Sequence, residues 1–210
     1  MVSAQTAPLH GQLEADSYAS PTGEFSMTVP VLVELGGVIS DTPQVVTFRD
    51  AFNLHASVAC FRMDATQRWE NETRGRREYL VWFFSEFVQS DFRARFPGAA
   101  VESARFMPEL LGGSLVVFNL LPGGTMFGDR VPSMSNGELP VAKRGNLMFV
   151  HNSHLYVVST ELAEKVLQPR TFSLTEEEQN TLLRERLLKL IGRMAFRVSL
   201  PITEQLGAVP

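Results

Sequence analysis

A chain of 210 residues with 44% hydrophobic and 20% charged residues is long enough to bury one sizeable core, and it falls outside the disordered, fibrous and membrane compositions. Its net charge of -4 offers no general attraction for nucleic acid or anionic lipid, so no nucleic-acid partner is expected. Cys60 is the single cysteine, which excludes an intramolecular disulfide and a cysteine-rich zinc site.

Residues 1–17 are small and polar with no period, which predicts a flexible N-terminal tail and order beginning near Tyr18. They lack the basic and apolar regions of a signal peptide. MVSAQTAPLHGQ also fits a mature terminus behind a removed signal, so cytoplasm and periplasm both stay open. Residues 18–196 read as one domain and 197–210 as a C-terminal extension. No run approaches the ~20 apolar residues of a membrane span.

GEFSMTVP alternates, with Phe25, Met27 and Val29 on one face and Glu24, Ser26 and Thr28 on the other, as a half-exposed strand ended by Pro30. Gly36-Gly37 then breaks the chain. Gln44–Arg49 and Leu54–Arg62 predict two further strands. In the second, Cys60 shares a face with Leu54, Ala56 and Val58, opposite Asn53, His55 and Ser57, and reads as a buried, inert thiol. In the stretch DATQRWENETRGRRE, Arg68, Arg74, Arg76 and Arg77 have the forked geometry that suits phosphate. Interleaved Asp64, Glu70, Glu72 and Glu78 nearly cancel that charge, and a solvated connector is expected.

Glu78–Phe96 predicts the first long helix, stopped by Pro97-Gly98. Tyr79, Leu80, Phe83, Phe84, Phe87 and Val88 cover a wide apolar arc, and Glu86, Gln89 and Arg93 mark the opposite side. Trp82 falls on that polar side. A Trp beside an Arg is a common composition for an interface anchor, so Trp82, Glu86, Gln89 and Arg93 are the candidate partner-binding residues. The plainer alternative is a slightly rotated helix with Trp82 packed under a neighbouring loop.

Val101–Met107 and Ser114–Leu121 predict the next strands, the second apolar on both faces. Gly112-Gly113-Ser114 is expected to be a loop feeding that strand rather than a nucleophile turn. Pro122–Ala142 is long and rich in Gly and Pro, as in a surface excursion. Lys143–Thr160 then reads as a hairpin about Asn152-Ser153 with almost no polar position. Leu147, Phe149, His151, His154, Tyr156 and Val158 fall on one face, and Met148, Val150, Leu155 and Val157 on the other. An antiparallel hairpin usually wets one face, so this one requires cover on both.

His151 and His154 face each other across the turn with Cβ atoms about 5 Å apart, and they are weak metal candidates. Zinc normally takes four ligands, and the sequence specifies no third, so no metal and no cofactor is expected. SLTEEEQNTLLRERLLKLIGRMAF predicts the second helix. Ser173 or Thr175 is its cap, with Glu176–Glu178 at the positive end of its dipole and Leu183, Leu187, Leu190, Ile191 and Met194 as its stripe. The elements run three strands, helix, four strands, helix: an α+β domain with a central antiparallel hairpin between layers.

GEFSMTVP, the strand pair from VVTFRD to CFRM, the aromatic helix and the hairpin NSHLYVVST leading to a helix that ends in Met-Ala-Phe together resemble the PsbP-like superfamily over about Tyr18–Phe196. That superfamily groups the extrinsic photosystem subunit, the Ran-binding nuclear import factor, and bacterial lipoproteins and effector-associated chaperones. The resemblance implies an antiparallel β-sheet covered by helices on both faces, an α/β/α sandwich, and a protein that binds other proteins without doing chemistry. No functional motif matches residue by residue, so no binding residue carries over. The chain departs from the pattern in its Pro122–Ala142 loop and shows no transit or lipoprotein signal.

The chain contains no GxGxxG, Walker loop, GxSxG elbow or HExxH, and no catalytic residue is assigned. The expectation is a non-catalytic protein-binding or accessory, chaperone-like module, partnered by another protein or by itself. A small-ligand or metal-binding protein using the His151/His154 tip or the Pro122–Ala142 loop is the alternative. A hydrolase without a readable motif is the second.

Overall fold

The computed structural model describes residues 8–51, 54–127, 140–167 and 172–197. Its strands in chain order are β1 (Gln12–Glu14), β2 (Ser17–Ala19), β3 (Phe25–Thr28), β4 (Val38–Asp41), β5 (Val45–Arg49), β6 (His55–Arg62), β7 (Ala100–Met107), β8 (Ser114–Pro122), β9 (Val141–His151), β10 (His154–Glu161) and β11 (Met194–Phe196). Seven of them form one antiparallel sheet in the order β4-β5-β6-β10-β9-β8-β7, and a smaller sheet runs β1-β2-β3-β11. The helices are α1 (Ala65–Arg74), α2 (Arg76–Phe83), a π turn (Phe84–Val88), α3 (Gln89–Arg95), α4 (Ala163–Leu167) and α5 (Glu176–Ile191).

The β9–β10 hairpin turns at Asn152 and Ser153, both left-handed with φ of 47° and 57°. That pair of conformations matches the twist of the flanking strands. The register sets Phe149 opposite Tyr156 and Met148 opposite Val157. Both faces are buried. Leu147, Phe149, Tyr156 and Val158 join a core with Tyr18, Phe25, Phe48, Leu183 and Leu187, beneath α5 and the small sheet. Met148, Val150, Leu155 and Val157 pack on the other side with Tyr79, Leu80, Phe83 and Phe84 of the α2 layer. The sheet thus lies between helices, as the sequence led us to expect. The small sheet, which shares the α5 side, was not foreseen.

Close approach of α5 depends on Gly145. A Cβ there would lie 3.1 Å from Leu187 Cδ1, 3.3 Å from the Phe118 ring and 3.4 Å from Leu183 Cβ. Gly145→Val should therefore cost about 2 kcal/mol through overpacking, seen as a lower urea midpoint at unchanged slope.

Four expectations need correction. Order begins well before Tyr18, because β1 pairs with β2 in the stretch read as a tail. All three β1 side chains are exposed, so its pairing is a backbone matter that leaves no apolar period to read. The connector 64–78 is largely helical. Asp64 and Gln67 form a reciprocal capping box over α1, which buries no residue. The first long helix is interrupted by the π turn, and the second ends at Ile191, where Met194–Phe196 leave it to pair with β3. Finally, the 143–160 hairpin is not free of polar residues: Lys143, Arg144, Asn146, Ser159 and Thr160 lie buried in it. Residues 1–7, Asn53, most of the Pro122–Ala142 loop and the extension from 198 lie outside the described residues.

Asp41 fastens the N-terminal segment to β4. Its carboxylate accepts from the Tyr18 hydroxyl at 2.7 Å and from the backbone N–H groups of His10 and Gly11 at 2.9 and 2.8 Å. Burial alone would raise its pKa, but those donors outweigh burial and hold it below the ordinary carboxylate value. A depressed folded-state pKa stabilises above the unfolded value and is lost as pH falls through the folded one. Denaturation midpoints measured from pH 7 to pH 2 should fall on the acid side, and less steeply in Asp41→Asn.

Candidate functional site

The helix-facing side of the large sheet changes character along its strands. At the hairpin-turn end the cross-strand row is apolar: Val45, Ala59, Val157, Met148 and Leu115 stand in register on β5, β6, β10, β9 and β8. Two residues further along, the row is polar on four strands, Thr47, Ser57, Ser159 and Asn146, and ends in the apolar Val117 of β8. Beyond it Glu161 faces Arg144, which faces Asn119.

All of these polar side chains except Thr47 form one hydrogen-bonded network. Arg144 donates to Glu161 Oε1 at 2.9 Å, to Asn146 Oδ1 at 3.1 Å and to Ser57 Oγ at 3.4 Å. Asn146 donates to Asn119 at 3.0 Å, Asn119 to Gln89 at 2.8 Å, and Gln89 to the Ala99 carbonyl at 3.0 Å. The Arg144 guanidinium lies 4.8 Å from the Phe127 ring and 5.5 Å from that of Phe92. Burial pulls its pKa down, and the Glu161 carboxylate opposes the shift. Glu161 also accepts from the Met126 backbone N–H at 3.1 Å and from the Thr125 hydroxyl, which ties the start of the Pro122–Ala142 loop to the sheet. A second buried ion pair joins Lys143 to Glu102.

The π turn decides which residues of the first helical layer reach this network. The Gln89 N–H bonds back to the Phe84 carbonyl, five residues away. One extra residue in a turn advances every later side chain by about 100° relative to an uninterrupted wheel. Gln89, expected on the partner-facing side, is 4% exposed inside the network, so that assignment is wrong. Phe87, expected in the core arc, is 48% exposed. It is backed by Phe83 at 4.9 Å and by the edge of Trp82 at 5.6 Å. Trp82 is half-buried between this cluster and Arg74, whose guanidinium lies 5.3 Å from its ring. The packed alternative thus describes Trp82 better than an open polar arc, although α1, not a loop, supplies the cover. Glu86 and Arg93 are exposed as expected.

At the hairpin turn, His154 stands opposite His151. Its Nδ1 is 2.7 Å from the Asn152 carbonyl and 3.7 Å from Glu24, while the His151 ring rests 4.8 Å from Phe196. No group of three or more His, Cys, Asp or Glu that could hold a metal occurs among the described residues. Cys60 is buried, and burial pushes its thiol up to about 11, far from a reactive thiolate. Ser114 is fully buried and donates to the Leu110 carbonyl at 2.7 Å, which settles it as the start of β8.

No family model and no curated protein sequence matches this chain. Among solved structures it is similar to cyanobacterial PsbP (CyanoP) from Synechocystis sp. PCC 6803, with a TM-score of 0.52 at 12% identity, over 86% of this chain and 91% of that one. The fold is PsbP-like. The Ran-binding protein Mog1p of Saccharomyces cerevisiae aligns with the PsbP-like domain at a TM-score of 0.45 and 9% identity, over 90% of this chain and 96% of the other. Among the described residues of the PsbP-like chain, no helix is long and apolar enough to cross a membrane.

Sequence reasoning missed Phe87 and the Arg144–Glu161 pair. The first gave no signal, since a regular wheel cannot show a π turn. The second gave one: Lys143, Arg144 and Asn146 stand together in a strand whose following residues Leu147–Val150 are apolar on both faces.

Proposed function

We propose that this PsbP-like chain is a non-catalytic protein-binding module that docks its partner on the outer surface of α2 and the π turn, with Phe87 as anchor. The observation that carries this reading is a half-exposed phenylalanine presented by a π turn and braced by two aromatic rings. π turns are uncommon and recur at functional sites. An aromatic held rigidly at the surface loses little entropy when a partner covers it, as interface anchors do. Trp82 supports Phe87, and the exposed Glu86 stands next to it in the same turn. The partner this surface suits carries an apolar side chain flanked by polar ones, as an amphipathic helix does. A small-ligand function has its own support in the polar row under α3, taken up below.

Capture from source-organism lysate by the parent and by Phe87→Ser tests the proposal. Phe87→Ser should change folding stability by no more than about 1 kcal/mol and weaken association by about 2 kcal/mol or more, roughly thirtyfold. A control at the exposed Val101 of β7, Val101→Ser, should leave association intact. Equal loss in both variants would refute the surface.

A further inference from the structure

Between α3 and the polar row lies a cleft of about 280 Å³, close to the lower size of ordinary small-molecule sites. Its floor holds Thr47, Ser57, Ser159, Asn146 and Arg144, and its walls include Val88, Phe92, Met126 and Phe127. An open cleft floored by buried polar side chains, on a sheet face that is apolar two residues away, is not a packing requirement. Apolar residues would fill that floor at lower desolvation cost.

The groups left over on the floor are donors. Arg144 has five N–H groups and uses three of them on Glu161, Asn146 and Ser57. Ser57 accepts from Arg144 and keeps its own hydrogen, and the Thr47 hydroxyl opposite it makes no hydrogen bond among the described residues. The Asn146 Oδ1 acceptor, by contrast, is spent: it already receives Arg144 and the Ser159 hydroxyl. Glu161 also accepts from the Met126 N–H and the Thr125 hydroxyl and balances the Arg144 charge, so the pull on a ligand comes from the unused N–H and O–H donors. At the rim, Arg95 and Asp91 pair with each other at 3.2 Å and contribute no net charge.

We propose that this cleft binds a small carboxylate with an aliphatic tail. The head group, acceptor-only when ionised, meets Arg144, Ser57 and Thr47, while the tail lies against Val88, Phe92 and Met126. The guanidinium is fixed by its three hydrogen bonds and lies near the Phe92 and Phe127 rings, so a head group finds it already oriented. This site is separate from the Phe87 surface and stands or falls independently of it.

Titration calorimetry of the full chain with octanoate, octanol and octylamine tests the inference. Octanoate should bind at one site at least tenfold more tightly than octanol, with no heat from octylamine. Ala59→Phe, which fills the cleft from a half-buried position on β6, should weaken octanoate at least tenfold. Thr47→Val, which keeps the strand and removes one donor, should weaken it about threefold. Val101→Ser, at an exposed site on β7 away from the cleft, should bind as the parent does and serves as the folded control. No octanoate binding, equal affinity for octanol, or parent-like affinity in Ala59→Phe would each overturn the assignment.

Discussion

Met148→Asp is expected to lower the stability of this protein by roughly 4 kcal/mol, since it places an unpaired charge at the centre of the sandwich. Met148 is fully buried on β9, between Leu115 of β8 and Val157 of β10, under the α2 layer. The side chains of that cluster are all hydrophobic, so the aspartate must stay charged and poorly solvated or take up a proton at a cost. For a chain of this length the melting midpoint should fall by about 10 °C or more. Val157→Asp should cost less, because Val157 borders the cleft beneath α3 and an aspartate there can reach water. A parent-like midpoint for Met148→Asp would mean that this face of the hairpin is uncovered.

Glu161→Ala should cost about 3–5 kcal/mol, the range for removing one member of a buried ion pair. The loss strands the Arg144 guanidinium and also deprives the Thr125 hydroxyl and the Met126 N–H of their acceptor. The paired substitution Arg144→Met with Glu161→Leu should recover most of that loss, because two apolar side chains leave no charge unsolvated. Urea denaturation of the single and double variants measures the coupling. A double variant no more stable than Glu161→Ala would show that the pair is not what the network depends on.

The sequence was informative where structure is set by local rules or by strong burial. The hairpin register followed from a two-residue turn between strands apolar on both faces, and the α5 cap is Thr175, one of the two candidates, with Ser173, that carry a glutamate three residues on. Where pairing is non-local, the pattern misled. Met194 continued the α5 stripe by coincidence of spacing, yet it sits in β11 opposite Met27 of β3, a partner 167 residues earlier. Helix α1 was missed for a different reason: it buries nothing, so hydrophobic periodicity had nothing to report, although Asp64 and Gln67 carried a legible capping signal.

The candidate surface was half legible. Trp82, Glu86 and Arg93 were placed on the right helical layer, but the π turn between Trp82 and Gln89 reset the phase. That turn exchanges Phe87 for Gln89 on the outside. Its cause is visible only in three dimensions, where Gln89 bridges the Ala99 carbonyl and Asn119, a residue 30 positions away. A wheel drawn at 100° per residue has no means of registering such a demand.

The claim that function resides in the Phe87 surface is tested most directly by hydrogen–deuterium exchange of the protein alone and in complex with the partner it captures. Added protection should centre on α2, the π turn and α3, residues 76–95, with the Asn152-Ser153 turn unchanged. Protection confined to the hairpin turn or to the β4 edge, with residues 76–95 exchanging as in the free protein, would contradict it.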